Sequence, residues 1–300
     1  MKKIKKIVMF FLCTVALSGM VPMKAQADAG PKPSTVIEIE GLEDEVYYGT
    51  LLSERESTGP LSVMSESGLA TKQDDEDYEI WKAFAEYEDK DGYFFLPEFF
   101  ECRGTDRFDW SYYPPSPFKI LLYFPEYDTF VVSEIYEEYA FDSYYKVDLT
   151  GVDLKNMTSD IVVTASQSYK YGREIIGFLV RIALTLLIEL QIAHTVGYCE
   201  KKQFGFIVVV NVITQVLLNV WLNIVEYRSG FLALMITYFQ LEFLIFVIEA
   251  VLYATVLPII SEQKARRLPA VGYAFFANLM SFMAGMFLAF VLSLFFEIVR

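Results

Sequence analysis

Four apolar stretches in the C-terminal part of this chain, at about 175–196, 204–224, 231–259 and 270–299, constrain its fold more than any other feature. Each approaches or exceeds the roughly 20 residues that a helix needs to cross a bilayer core. In hydrocarbon the backbone must satisfy its own polar groups, so these segments are expected as helices and together as a four-helix transmembrane bundle over 171–300.

The polar residues inside these stretches recur at helical spacing. The first carries Arg181, Thr185 and Glu189 on one face, the second Asn211, Thr214, Gln215 and Asn219, and the third Tyr238, Glu242, Glu249 and Tyr253. A charged side chain at a helix centre costs about 2.5–3.5 kcal/mol on the insertion scale, so these stripes are expected to face other helices. Helices running in alternate directions place Glu189, Asn211 and Glu249 in one half of the membrane and Arg181, Asn219 and Glu242 in the other. This predicts an Arg181–Glu242 contact and a separate Glu189/Asn211/Glu249 cluster. A carboxyl group there without a cation beside it must carry a proton or hold a bound cation. The fourth stretch offers Asn278, Ser281, Gly285 and Ala289, a small-residue stripe suited to close packing.

The first 27 residues read as a cleavable signal peptide: basic Lys2, Lys3, Lys5 and Lys6, an apolar run, and a small-x-small end at Ala25-Gln26-Ala27. Phe10, Phe11 and Leu12 before Cys13 lack the small residues of a lipoprotein signal. Loop charges agree with export: Lys201 and Lys202, then Lys264, Arg266 and Arg267, fall between the first and second pairs of stretches, whereas Glu226-Tyr-Arg228 between the middle pair is neutral. The positive-inside rule puts the two basic loops in the cytoplasm. The expected location is thus the cell membrane, multi-pass, with the N-terminal domain and the C-terminus extracytoplasmic and the lipid bilayer as an obligate partner.

Residues 28–172 hold 31 acidic and 11 basic side chains. Such an acidic segment repels nucleic acid, which is excluded as a partner, and favours cationic ligands, basic partners or plain solubility. With Cys102 and Cys199 on opposite sides of the membrane, no disulfide is expected, and the domain must stand on its core. Strands are predicted at 35–40, 46–53, 118–124, 129–133 and 141–149, with 118–124 and 129–133 joined as a hairpin. The fold class is therefore α+β: an extracytoplasmic, antiparallel β-sandwich-like domain over 28–170 followed by the helices. A long loop is expected between Ser53 and Asp77.

Two local patterns suggest ligands for this domain. The run from Ala83 through Gly92 to Glu98 resembles a helix entering an EF-hand loop, but Tyr87 falls where that loop needs its first carboxylate. A hairpin turned by Asp91-Gly92 accounts for the same residues, leaving Asp89, Asp91 and Glu98 as a minor cation-site candidate. The acidic run Asp74–Asp77 reads as a solvated loop. Trp110-Ser-Tyr-Tyr113 before Pro114-Pro115 offers a platform for a peptide or carbohydrate, although core packing is the commoner fate of such residues.

No catalytic constellation emerges. The single histidine, His194, lies away from the carboxylate stripe, and no phosphate-binding or dinucleotide fingerprint is present, so no cofactor is expected and an intramembrane enzyme is the weakest reading, open only to a purely carboxylate-based hydrolase. Phe118-Lys-Ile-Leu-Leu-Tyr-Phe-Pro-Glu126 and Tyr139-Ala-Phe-Asp-Ser-Tyr-Tyr145, ahead of helices bearing Glu189, Asn211-x-x-Thr-Gln215 and Glu249, resemble a group of uncharacterised Gram-positive multipass membrane proteins with a cleaved signal peptide. The resemblance implies the architecture and no activity. The expected function is an exported binding or interaction domain on a polar-lined membrane module, acting in assembly or signalling at the cell envelope with a membrane protein partner or a second copy of itself. The alternative is a small transporter or a proton- or cation-coupled component using the intramembrane glutamates.

Overall fold

The computed structural model describes residues 30–42, 45–56, 77–156, 161–169, 171–261 and 267–298. The signal peptide, most of the Ser53–Asp77 loop, Asp74 to Glu76, Lys264 and Arg266 lie outside the described residues. The chain divides into two compact units, one of sheets and one of helices.

The sheet unit contains β1 (Ser34–Glu40), β2 (Val46–Ser53), helix α1 (Tyr78–Glu86), β3 (Phe94–Phe95), β4 (Phe100–Arg103), β5 (Arg107–Trp110), β6 (Phe118–Phe124), β7 (Thr129–Tyr136), β8 (Asp142–Asp148), β9 (Ile161–Val163) and β10 (Ala165–Gln167). One sheet has the order β10-β8-β1-β5. The other runs β3-β2-β6-β7-β9, with β4 also pairing β2. Side chains from both sheets interleave in one core: Ile37, Ile39, Trp110, Tyr145 and Val147 from the first meet Tyr47, Leu51, Phe118, Ile120 and Leu122 from the second.

The opposite face of the second sheet is covered by α1. Tyr48, Leu52, Leu121, Tyr123 and Val132 pack with Phe84 of that helix. Burial on both faces explains why β2 and β6 carry apolar residues at consecutive positions, ILLYF in β6 for example, instead of strictly alternating apolar and polar residues. Gly49 of β2 is required by this packing, because a Cβ there would lie 2.4 Å from the Phe108 ring.

Two expectations need correction. The sheets are mixed, not purely antiparallel, since β1 pairs β8 and β7 pairs β9 in parallel. And no hairpin forms about Asp91-Gly92: the chain before the turn is α1, and β3 after it pairs with β2. The turn itself is an Asx arrangement in which the backbone N–H groups of Asp91 and Tyr93 donate to Asp89 Oδ2 at 2.9 and 3.2 Å. The 118–136 hairpin does form, its register shifting between Lys119 and Leu121. There Ser133 Oγ accepts the Ile120 N–H at 2.8 Å, satisfying the donor that the bulge would leave unpaired.

Burial also sets a pH dependence. Desolvation raises the Glu138 carboxyl from its ordinary 4.5 to about 7, and its Oε1 has no hydrogen-bond partner. The folded state then binds the extra proton, so this group's contribution to stability is full below pH about 4.5 and declines through about 7. Glu138→Gln is expected to remove that decline, leaving the variant more stable than the parent at neutral pH and similar to it at pH 4. Chemical denaturation of both proteins across this range checks it.

The helical unit contains α2 (Tyr171–Val196), α3 (Lys201–Ile260) and α4 (Arg267–Ile298). Among the described residues, three helices are long and apolar enough to cross a membrane, which fits a multi-pass membrane protein. α3 is two helices in one. Gly230 at φ 75° and ψ -179° interrupts it, and no loop separates its arms, because helix continues through Glu226-Tyr-Arg228 to Gly230. Glycine is the residue that tolerates this positive φ without Cβ strain. The outward faces of the helices are apolar, with Leu187, Leu217, Trp221, Phe239, Phe276 and Phe287 all exposed. Polar residues lie inside: Thr185, Glu189, Asn211, Thr214, Gln215, Asn219, Glu249, Asn278 and Ser281 are all buried.

Candidate functional site

The interior of the helical unit joins polar side chains from all of its helices. Glu249, on the C-terminal arm of α3, is fully buried. Its two carboxyl oxygens are each occupied: Thr214 Oγ1 donates to Oε1 at 2.8 Å and Asn278 Nδ2 donates to Oε2 at 2.7 Å. Thr214 belongs to the N-terminal arm of α3 and Asn278 to α4, so one carboxyl group ties three helical segments together. Asn278 also donates to the Ala274 carbonyl at 2.9 Å, which uses its second amide hydrogen and fixes the amide orientation.

Glu189 of α2 is equally buried and lies within hydrogen-bonding reach of the Asn211 side chain. Ser281 Oγ of α4 approaches its Oε1 at 3.5 Å, and the Tyr273 hydroxyl donates to the Glu189 carbonyl at 3.3 Å. Asn211 Nδ2 donates to the Ile207 carbonyl at 3.1 Å and to Tyr253 Oη at 2.9 Å. Within this group, Glu189 Oε2 and Asn211 Oδ1 are buried without a hydrogen-bond partner among the described residues. Tyr253 and Tyr273 pack ring to ring beside this group, 5.3 Å between centroids, and close its side.

The other residues singled out in the sequence are placed differently. Gln215 and Asn219 are buried but bond along their own helix, Asn219 Nδ2 donating to the Gln215 carbonyl at 2.8 Å. Glu242 is hydrogen-bonded to Tyr238, one turn before it. Among the described residues no ion pair joins Arg181 to Glu242 or Glu189, and Arg181 Nε is buried without a hydrogen-bond partner. Asn278 and Ser281 read as packing residues in the sequence, yet they supply donors to the carboxyl groups. Their i, i+3 spacing in an otherwise apolar helix is the signal that points to this. Close packing is also present on α4, where a Cβ on Gly285 would lie 2.8 Å from Tyr238 Oη.

In the sheet unit, Asp89 and Asp91 converge on a cation of the chain itself. Lys119 Nζ donates to Asp89 Oδ1 and Oδ2 at 2.8 and 3.0 Å and also pairs with Asp91. Lys119 is 4% exposed and Asp89 1% exposed as side chains. Glu98 takes part through its backbone, its carbonyl accepting Thr50 Oγ1 at 2.6 Å. Among the described residues no group of three or more His, Cys, Asp or Glu is placed to hold a metal ion. Trp110 is buried in the core, which leaves Tyr112 and Tyr113, both exposed, as the accessible part of the aromatic motif. A separate open cleft of 580 Å³ is lined by Trp81, Tyr87, Tyr93, Phe95 and Pro97 with Asp89 at its edge. Comparison with protein families, with characterised proteins and with solved structures finds no match.

Proposed function

We propose that this chain is a multi-pass protein of the cell envelope that crosses the membrane four times, the two arms of α3 each making one crossing. It carries the acidic sheet unit outside and acts in assembly or signalling through that unit and a protein partner in the membrane or a second copy of itself. The observation that carries this reading is Glu249. A carboxyl group at 0% exposure whose two oxygens accept hydrogen bonds from two other helical segments is placed to specify how helices pack. A group serving transport would need access to an aqueous entrance. The apolar exterior of the helices supports lipid as their surroundings, since so much exposed Leu, Phe and Trp in water would drive aggregation.

The partner surface on the sheet unit is expected at its aromatic and acidic features, Tyr112 and Tyr113 or the Trp81/Tyr93 cleft, and favours a basic peptide or a carbohydrate. The test reconstitutes Glu249→Gln in vesicles. Loss of native complexes or of helix packing with no change in proton or cation flux supports assembly. Flux present in the parent and abolished in a correctly folded variant contradicts it. One observation favours the alternative of a proton- or cation-coupled component: Glu189 Oε2 and Asn211 Oδ1 are buried without partners.

A further inference from the structure

Helix α1 uses two of its faces. Phe84 is buried against the second sheet, whereas Trp81 and Ala85, one turn apart, line the open 580 Å³ cleft. The Tyr78 ring stacks on Trp81 with 6.0 Å between centroids and holds the indole in place. The chain after the turn adds Tyr93, Phe95 and Pro97 to the lining, and Trp81, Tyr93 and Phe95 are all half-buried, so each keeps accessible apolar surface.

The charge of this cleft is one-sided. Glu56, Glu88 and Asp89 line it, and among the described residues no lysine or arginine does. Lys119 already neutralises Asp89. Glu56 and Glu88 are exposed and belong to no ion pair among the described residues. Carboxylates beside aromatic rings suit a guanidinium or ammonium group, because the ring faces and the carboxylates both attract positive charge. The chain shows this chemistry within itself: Lys119 Nζ lies 5.4 Å from the Tyr93 ring centroid while bonded to Asp89. A neutral sugar meets fewer partners, since no Asn, Gln, Ser or Thr lines the cleft among the described residues. The Tyr112/Tyr113 pair is the weaker candidate, because Lys32 Nζ already lies 5.6 Å over the Tyr113 ring.

We infer that this cleft is a recognition site for a basic peptide, in which an arginine or lysine side chain of the partner packs on Trp81 and places its charge on Glu56 and Glu88. Arginine is the better occupant, because its planar guanidinium stacks on a ring and pairs with a carboxylate at once. The cleft volume lies within the roughly 300–1,000 Å³ of sites that take a small ligand. Such a site rests on the partner role proposed above and gives it a chemistry.

Full-length protein in nanodiscs of phosphatidylcholine, a lipid without net charge, is titrated calorimetrically with acetyl-Gly-Arg-Gly-Arg-Gly-amide. The same peptide with citrulline, the neutral isostere, replaces it in a second titration. The arginine peptide is expected to bind about tenfold more tightly. Glu56→Gln with Glu88→Gln is expected to remove most of that preference, and Trp81→Leu to weaken the arginine peptide about threefold. Both glutamates are exposed, so their replacement leaves the core intact. Equal binding of the two peptides, or a preference that survives the double variant and therefore reflects only the general acidity of the domain, overturns the assignment. Displacement of the arginine peptide by maltotriose points to a carbohydrate and overturns it too. These results stand apart from the assembly role, which is decided by the native complexes of Glu249→Gln and not by a peptide.

Discussion

Lys119→Ala is expected to destabilise the sheet unit by about 3–5 kcal/mol, because it leaves the Asp89 carboxylate buried without its cation. Asp89 is 1% exposed, and Lys119 Nζ supplies donors to both of its oxygens. Asp91 is the lesser partner, since its side chain is 60% exposed and water can replace the ammonium there. The Asp89 charge cannot simply be removed, because the same carboxylate accepts the Asp91 and Tyr93 N–H groups that form the turn after α1.

Lys119→Met with Asp89→Asn is therefore expected to recover part of the loss: asparagine keeps an accepting oxygen for the turn, and no buried charge is left. Denaturant unfolding of the single and double variants measures the recovery. The pair also has a pH signature. Burial lowers the Lys119 value, but the hydrogen bonds to Asp89 and Asp91 outweigh it and hold the ammonium above its ordinary range. The stabilisation is then full below pH about 10.4 and is lost as pH rises through the raised value. A Lys119→Ala penalty that persists unchanged in strong alkali would contradict the ion-pair account.

In the helical unit the largest effect is expected from Glu249→Ala, about 2–4 kcal/mol. Single hydrogen bonds between membrane helices average only about 0.6 kcal/mol, so two lost bonds do not produce this figure alone. The rest comes from the cavity left by the side chain and from the Asn278 N–H, which has no second acceptor once Oε2 is gone. Thr214 suffers less, because its hydroxyl can turn fully to the Val210 carbonyl at 3.1 Å. Thr214→Val should accordingly cost less than Asn278→Leu, and a reversible unfolding assay in detergent or bicelles ranks the three. Equal losses for Thr214→Val and Glu249→Ala would contradict this reading of the carboxyl group.

Local signals make much of the architecture legible. The 46–53 and 118–124 strands and the Pro125–Asp128 turn follow from β-branched and aromatic runs and turn residues, which act within a few positions of themselves. The parallel pairings of β1 with β8 and β7 with β9 are not legible, because they join segments far apart in sequence through contacts that leave no local mark. Helix α1 is obscured for a related reason: Asp91-Gly92 is a strong turn signal, but what it connects is decided by Phe84 packing on Tyr123, Phe95 and Phe130. Within the helices, periodicity identifies Glu189, Asn211 and Glu249 as inward residues. It does not assign their partners, and Asn278 and Ser281 pass for packing because small polar residues serve both purposes.

Cys199 reports the direction in which the chain crosses the membrane. Its side chain is exposed at the end of α2, whereas Cys102 is fully buried and its thiol is pushed up to about 11 by desolvation, so it is slow to react. In intact cells carrying Cys13→Ser, a membrane-impermeant maleimide is expected to leave Cys199 unlabelled until the membrane is permeabilised. The same reagent should label Glu134→Cys on the sheet unit without permeabilisation. Labelling of Cys199 from outside, or protection of position 134 in intact cells, would contradict the proposed orientation and with it an exported sheet unit.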